Sequence, residues 1–246
     1  LSRQESLEEL AQKEDFRHRF MATCKEFESA QNKLHLINSF KSNNPLLTSK
    51  AGLFLIYCSI AITLTIGILA YLGILPWSLF ILMFLLQLFF PMLFNNVLNR
   101  VGAHIGFLHK NTRVHSELLD LIHEEEFRTE RNITMKNALF GTYNSRDAMN
   151  ELSVLLKKFD QRHNAYILVL FNGLFLRDLF LLRQFYRWRD TYLPHLHLWI
   201  VFLAEMEVRV SKATYIFNQP QFTRPIIEDR SGILIDAKGL GHPFLQ

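Results

Sequence analysis

Residues 53–72 read LFLIYCSIAITLTIGILAYL, and after Gly73-Ile74-Leu75-Pro76 residues 77–94 read WSLFILMFLLQLFFPMLF. Neither run holds an acid, a base or a histidine. The charge-free gap between Lys50 and Arg100 is 49 residues long, and 36 of them are apolar. As helices rising roughly 1.5 Å per residue, the runs reach about 30 Å and about 27 Å, close to the thickness of a bilayer's hydrocarbon core. Pro76 suits the first turn of the second helix. Tyr71 and Trp77 flank the connection, where interfacial aromatics are expected. The pattern predicts a transmembrane hairpin over residues 51–99, an anchor with Leu53, Leu72, Trp77 and Phe94 at the limits of its two spans. The alternative is a hairpin buried in a large soluble core, which the remaining 197 residues would hardly cover. Gln87 is the one strongly polar group in mid-span, so a transporter or proton relay lacks its usual ionisable groups. The nearest charges, Lys41, Lys50, Arg100, Lys110 and Arg113, are all basic, which places both flanks on the cytoplasmic side.

Outside the gap the chain has the charge density of a soluble protein, with 27 Lys+Arg and 23 Asp+Glu in all. A hydrophobic share of 49% and 22 Phe exclude a disordered chain. Cys24 in a charged stretch and Cys58 in the apolar insert exclude a disulfide-built module. A net charge of +4 over 246 residues is weak attraction for nucleic acid or anionic lipid. The charged first 50 residues exclude a signal peptide. A start at Leu1 and an abrupt stop at Gln246 lead us to expect a piece of a longer polypeptide.

The flanks read as helices. Leu7, Leu10, Phe20, Cys24, Phe27, Leu34 and Ile37 recur at helical spacing after a cap at Ser2, and Asn43-Asn44-Pro45 ends the run. After the hairpin, residues 101–128 carry Leu118, Leu119 and Ile122 on one face. Glu124, Glu125 and Glu126 form a charged run expected to be solvated surface. Asn144 or Asp147 caps a helix with Met149, Leu152, Leu155, Leu156 and Phe159 on its apolar face. Residues 164–176 are uncharged but too short to span a bilayer, so a buried core helix is expected there. Pro194 is expected to break the next helix, and a last one runs from Leu196 to about Phe217. Ile233-Leu234-Ile235 reads as a short strand.

Little in the chain makes an active site by itself. His104, His109, His115 and His123 share a helix, but no two are four apart, so metal-ligand spacing is missing. Gly is never followed by Lys, which excludes a G-x-x-x-x-G-K-[ST] phosphate loop in these residues. Asn132-Ile133-Thr134 is a glycosylation acceptor left idle on a cytoplasmic flank. Arg183, Arg187 and Arg189, interleaved with Phe185, Tyr186 and Trp188, have the residue types of a weak nucleic-acid contact. The competing reading is a helix C-terminal turn with its aromatics in the core.

Both ends resemble the core domain of the MutS family of mismatch-repair ATPases. Arg3-Gln4-Glu5-Ser6-Leu7-Glu8-Glu9-Leu10 resembles the family's R-x-x-A-V-E-x-L, and Phe16-Arg17 follows where that core has a hydrophobic-Arg pair. Residues Glu207 through Ser211 to Ala213 resemble its last core helix, and Phe222-Thr223-Arg224-Pro225 resembles its Y-x-R-P link. Ile235-Asp236-Ala237-Lys238-Gly239-Leu240-Gly241-His242-Pro243 resembles the G-x-H-P lead-in to the ATPase domain, with Lys238, Gly239, Gly241, His242 and Pro243 as the family-like positions. The resemblance covers about 20 residues at one end and 40 at the other.

Together with the residue pattern it leads to an expected mostly α fold: a helical core and lever domain, as the resemblance implies, interrupted by the hairpin that the apolar runs predict, with a short C-terminal strand leading into an α/β ATPase domain. The expected parts are residues 1–50 and 100–218 for the core, 51–99 for the hairpin, and 219–246 for the link and first strand. ATP with Mg, mismatched or structured DNA, and a homodimer are implied for the complete protein, and a lipid bilayer for the anchor. Where the family's levers carry a DNA clamp, this chain has the apolar hairpin. An ATP-independent membrane scaffold binding protein partners stands as the alternative.

Overall fold

A computed structural model of the protein describes residues 2–25 and 45–221, with residues 223, 225, 226, 237 and 241. The structure is helical throughout and contains no strand among the described residues. The expected strand at Ile233-Leu234-Ile235 lies outside them.

The N-terminal flank forms two helices rather than one, α1 (Ser2–Gln12) and α2 (Glu14–Lys25), separated at Lys13. Their buried residues, Leu10, Phe16, Arg17 and Phe20, sit at helical spacing on one side of the chain. The rest of the expected run, including Phe27, Leu34 and Ile37, lies outside the described residues. One turn, α3 (Pro45–Thr48), precedes the apolar hairpin, α4 (Lys50–Tyr71) and α5 (Trp77–Phe89), which continues as a 3-10 turn (Phe90–Phe94).

Helix α4 starts at Ser49, whose side chain accepts a hydrogen bond from the Gly52 N–H at 3.0 Å. It ends at Gly73, where φ is +75. The Gly73 N–H reaches the Ala70 carbonyl at 3.1 Å and the Ile74 N–H the Leu69 carbonyl at 2.9 Å. That pairing closes the last turn and requires the left-handed backbone that glycine adopts at no steric cost.

The remaining elements are α6 (Asn95–Glu124), α7 (Glu130–Phe140), α8 (Ser145–Asp160), α9 (Ala165–Phe175) and α10 (Arg177–Asn218). Asn144 caps α8 as its sequence position suggests, accepting from the Arg146 N–H at 2.9 Å and the Asp147 N–H at 3.4 Å. The buried face of α8, Ala148, Met149, Leu152, Leu155, Leu156 and Phe159, repeats at three and four residues and packs on α6 and α10. Each fully buried leucine of this kind contributes about 1.5–3 kcal/mol.

Helix α10 is the spine. Its first half packs on α8, where the Trp188 indole N–H donates to the Ala148 carbonyl at 2.7 Å, and its second half packs on α1 and α2. One hydrophobic cluster joins residues before the hairpin (Leu10, Phe16, Phe20) to those after it (Leu119, Ile122, Leu156, Phe185, Met206).

Two expectations about this half fail. Pro194 does not end the helix, which runs through it for 42 residues. Proline removes one backbone donor and costs about 3 kcal/mol, and burial of Leu196, Trp199, Leu203 and Met206 beyond it offsets the loss. The segment after Asn164 is not a buried core helix either. Most of α9's large side chains are exposed, and it sits on the hairpin instead of inside the core.

Candidate functional site

Two places gather unusual chemistry: the apolar hairpin with its root, and the contact between the N-terminal helices and the end of α10. In the hairpin the usual arrangement of a soluble helix is inverted. The buried residues of α4 are Gly52, Ile56, Thr63 and Ala70, and the buried residue of α5 is Gln87. Large apolar side chains point outward, among them Phe54, Leu55, Ile62, Ile68, Ile81, Leu82, Leu86 and Phe89.

Small residues let the two helices approach closely. An added Cβ at Gly67 would stand 3.0 Å from the Phe80 ring. Gln87 Nε2 donates to Ser59 Oγ at 3.1 Å, joining the helices by their polar groups. Lys50–Tyr71 and Trp77–Phe94 are each long and apolar enough to cross a membrane, with mean hydropathy 2.4 and 2.1, and only 17% of each is buried inside the protein. A hairpin covered by a soluble core would be mostly buried, so the exposure argues against that alternative.

The four residues expected to bound the anchor do not share one environment. Leu72 and Trp77 are exposed at the turn and Leu53 is half-buried, while Phe94 is buried and belongs to the core cluster at the hairpin's root. That root is tied to the spine. Arg183 Nη1 donates to the Leu47 carbonyl and, at 3.2 Å, to the Ser49 carbonyl. The Tyr57 and Phe180 rings meet at 5.5 Å.

The three arginines therefore do not form one surface. Arg183 is spent on the hairpin root. Arg189 is buried, bonded to Asp190 at 2.6 Å and stacked 4.7 Å from the Tyr186 ring. Only Arg187 is exposed, beside Glu151, Gln184 and Thr191 in an open groove between α8 and α10. They lie in mid-helix, and the aromatics Phe185, Tyr186 and Trp188 face the core as the competing reading expects.

At the second place, the side chains sit between α1, α2 and the last turns of α10. Arg17 is buried, its Nη1 donates to Thr214 Oγ1 at 3.2 Å, and its guanidinium lies 4.5 Å from the Phe217 ring centre. Arg209 is buried too, donating to Ser6 Oγ at 2.5 Å and to Met135 Sδ at 3.2 Å. Burial draws both guanidinium groups below their ordinary value. Gln4 Nε2 donates to the Pro225 carbonyl at 3.0 Å. Of the lead-in residues Lys238, Gly239, Gly241, His242 and Pro243, only Gly241 is among the described residues, and it is exposed.

The expected solvated Glu124–Glu126 run is solvated only in part, since Glu125 is half-buried and pairs with Lys13 at 2.5 Å. No group of three or more His, Cys, Asp or Glu is placed to hold a metal ion among the described residues.

Sequence reasoning missed two features. Glu9 of α1 takes the Arg128 and Thr129 N–H groups just before α7. Arg162 and Asp178 pair at 2.9 Å, with Asp178 buried, and the Asp178 N–H donates to the buried Asn172 Oδ1 at 2.9 Å. A polar-small pair, Asn172-Gly173, inside an apolar run was the available signal for the second.

Fold and site together define a helical protein carrying two membrane-length apolar helices. No family model, no curated protein and no solved structure matches the chain.

Proposed function

We propose that the chain is the connector and lever region of a membrane-anchored, MutS-like ATPase, in which ATP with Mg drives binding of mismatched or structured DNA by the complete, dimeric protein. The reading rests on the contact between its two family-like segments. Residues of α1 and α2 meet the end of α10 and the link beyond it across sequence separations of 197 to 221 residues, through Arg17–Thr214, Ser6–Arg209 and Gln4–Pro225. A core domain that gathers both ends of its chain at the entrance to an ATPase domain would place them so.

In this reading the hairpin lies in the bilayer with both flanks cytoplasmic. Helix α10, about 63 Å long at roughly 1.5 Å per residue, links the hairpin root at Arg183 to the entrance of the ATPase domain at Phe217. A push on either end is then felt at the other. The test is the polypeptide beyond Gln246 together with its activity. A phosphate loop within about 50 residues, and ATP hydrolysis by the whole protein in vesicles, are expected. A continuation without that loop and without hydrolysis would overturn the proposal.

One observation favours the alternative of an ATP-independent scaffold. Arg183 and Arg189 are used inside the fold, so the arginine cluster offers no basic stripe to DNA. DNA binding by the whole protein that weakens steeply with salt would count against the scaffold.

A further inference from the structure

Helix α9 has no place in a soluble core, yet it is the most apolar element outside the hairpin. Its sequence, AYILVLFNGLF, carries no charge. Tyr166 is 87% exposed, and Val169, Leu170, Phe171 and Phe175 are also exposed. Its buried residues are Asn172 and Gly173. Gly173 is pressed against Phe84, near the middle of Trp77–Phe94, where an added Cβ would fall 2.3 Å from the ring. The exposed face of α9 is therefore continuous with the outward apolar surface of α5.

The segments that flank α9 are tied to each other. Arg162 precedes it, Asp178 follows it, and the two pair at 2.9 Å, while Arg177 donates to the Lys158 carbonyl at 3.2 Å and to Gln161 at 2.7 Å. Eleven residues rise about 16 Å, half a hydrocarbon core. An apolar helix with a charged, self-paired base, seated halfway along a membrane-length helix, has the shape of an element that enters one leaflet and leaves on the same side.

We propose that α9 is a third lipid-embedded element, seated among the acyl chains of the leaflet nearest the soluble flanks. This rests on the hairpin lying in a bilayer. A second copy of the chain is a poorer occupant, because a protein interface carries a polar rim and the exposed residues of α9 are Ala165, Tyr166, Val169, Leu170, Phe171 and Phe175, with no charge among them. Lipid needs no rim. The left-handed Leu176, at φ 50 and buried, then marks the turn by which the chain leaves the leaflet into α10.

Environment-sensitive fluorophores on single cysteines test this in vesicles of phosphatidylcholine and phosphatidylglycerol containing nitroxide-labelled lipids. The background is the whole protein with Cys24→Ser, Cys58→Ser and any cysteine outside residues 1–246 replaced by serine. The positions are Leu170 and Tyr166 on α9, Leu82 on α5, and Asn137 on α7 as an exposed reference. Quenching at 170 and 166 within about twofold of that at 82, and several-fold above that at 137, is expected. Quenching at 82 with values at 170 and 166 equal to 137 would sink the inference and leave the anchor standing. Shielding of 170 from both lipid nitroxide and an aqueous quencher would mean a protein partner covers it, and would also overturn it. If 82 itself is unquenched, the membrane reading of the hairpin fails and this inference falls with it.

Discussion

The carboxylate of Glu9 accepts hydrogen bonds from the Arg128 N–H, the Thr129 N–H at 3.0 Å, the Thr129 hydroxyl and Asn132 Nδ2 at 2.8 Å. Thr129, the residue before α7, makes no side-chain cap, and its own N–H is taken by Glu9 of α1. Burial works to raise the Glu9 carboxyl, and the hydrogen bonds from Thr129, Arg128 and Asn132 outweigh it, holding it below the ordinary 4.5. A depressed acid contributes stability above its unfolded value and loses it as pH falls through the lower folded one. Glu9→Gln is therefore expected to cost about 1–3 kcal/mol at neutral pH, with the gap closing below the folded value. Denaturant midpoints in detergent, followed from neutrality down through the acid range, would show it, and a gap unchanged by pH would refute the account.

His115 occupies a different window. Burial pushes it down to about 4 from 6.5, so its contribution is full above 6.5 and is lost as pH falls from 6.5 toward 4. His115→Leu should flatten the stability curve over that range while leaving the Glu9 effect in place. Such residue roles were illegible in the sequence. A glutamate in a charged helix and a histidine among ten reveal nothing of which backbone comes to meet them, because a contact from another helix has no local spacing.

At the scale of elements, legibility followed how much a pattern depended on its own residues. The hairpin needs only length, absence of charge and a Gly-Pro turn, all local, and α4 and α5 lie close to where they were expected. The α8 face and its Asn144 cap are local as well. Helix α9 was expected inside the core because an uncharged apolar run reads the same whether it will be buried or left on the surface, and only the exposure of Tyr166, Leu170 and Phe175 separates the two. Pro194 misled because the rule for proline weighs one lost donor, whereas the fold weighs the burial on both sides of it.

That balance can be measured. Pro194 is exposed, and Pro194→Ala restores an N–H toward the carbonyl of Asp190, so stability should rise by about 1–3 kcal/mol. A loss instead would mean that the proline shapes α10 to fit both α8 and α1. For Gly173→Ala the expected cost is about 1–3 kcal/mol from overpacking, recovered in part by Phe84→Leu in the double variant. Costs that simply add would show that the two residues do not touch.

On the proposed membrane reading, the whole molecule joins two solvents. Its core cluster is fed from both sides of the hairpin and includes Leu47, Ile56, Phe94 and Leu98 at the root, so the core and the first turn of the hairpin are one packing unit. Beyond that root the hairpin packs mainly on itself and on α9. Replacing residues 58–88 by a short Gly/Ser linker should leave the core folded, since Gln87 and Ser59 face each other and the cut ends lie near one another. It should not by itself make the protein soluble.

Helix α9 loses Phe84 and still presents Tyr166, Leu170, Phe171 and Phe175, an apolar patch that water does not tolerate on a monomer. Detergent-free solubility is expected only when Leu170 and Phe171 are also changed to polar residues. Sedimentation of the linker variant, the polar-α9 variant and their combination separates the cases. A linker variant that stays monodisperse without detergent would mean that α9 finds cover within the protein, and that the charge-free stretch of residues 51–99 is the molecule's whole claim on a membrane.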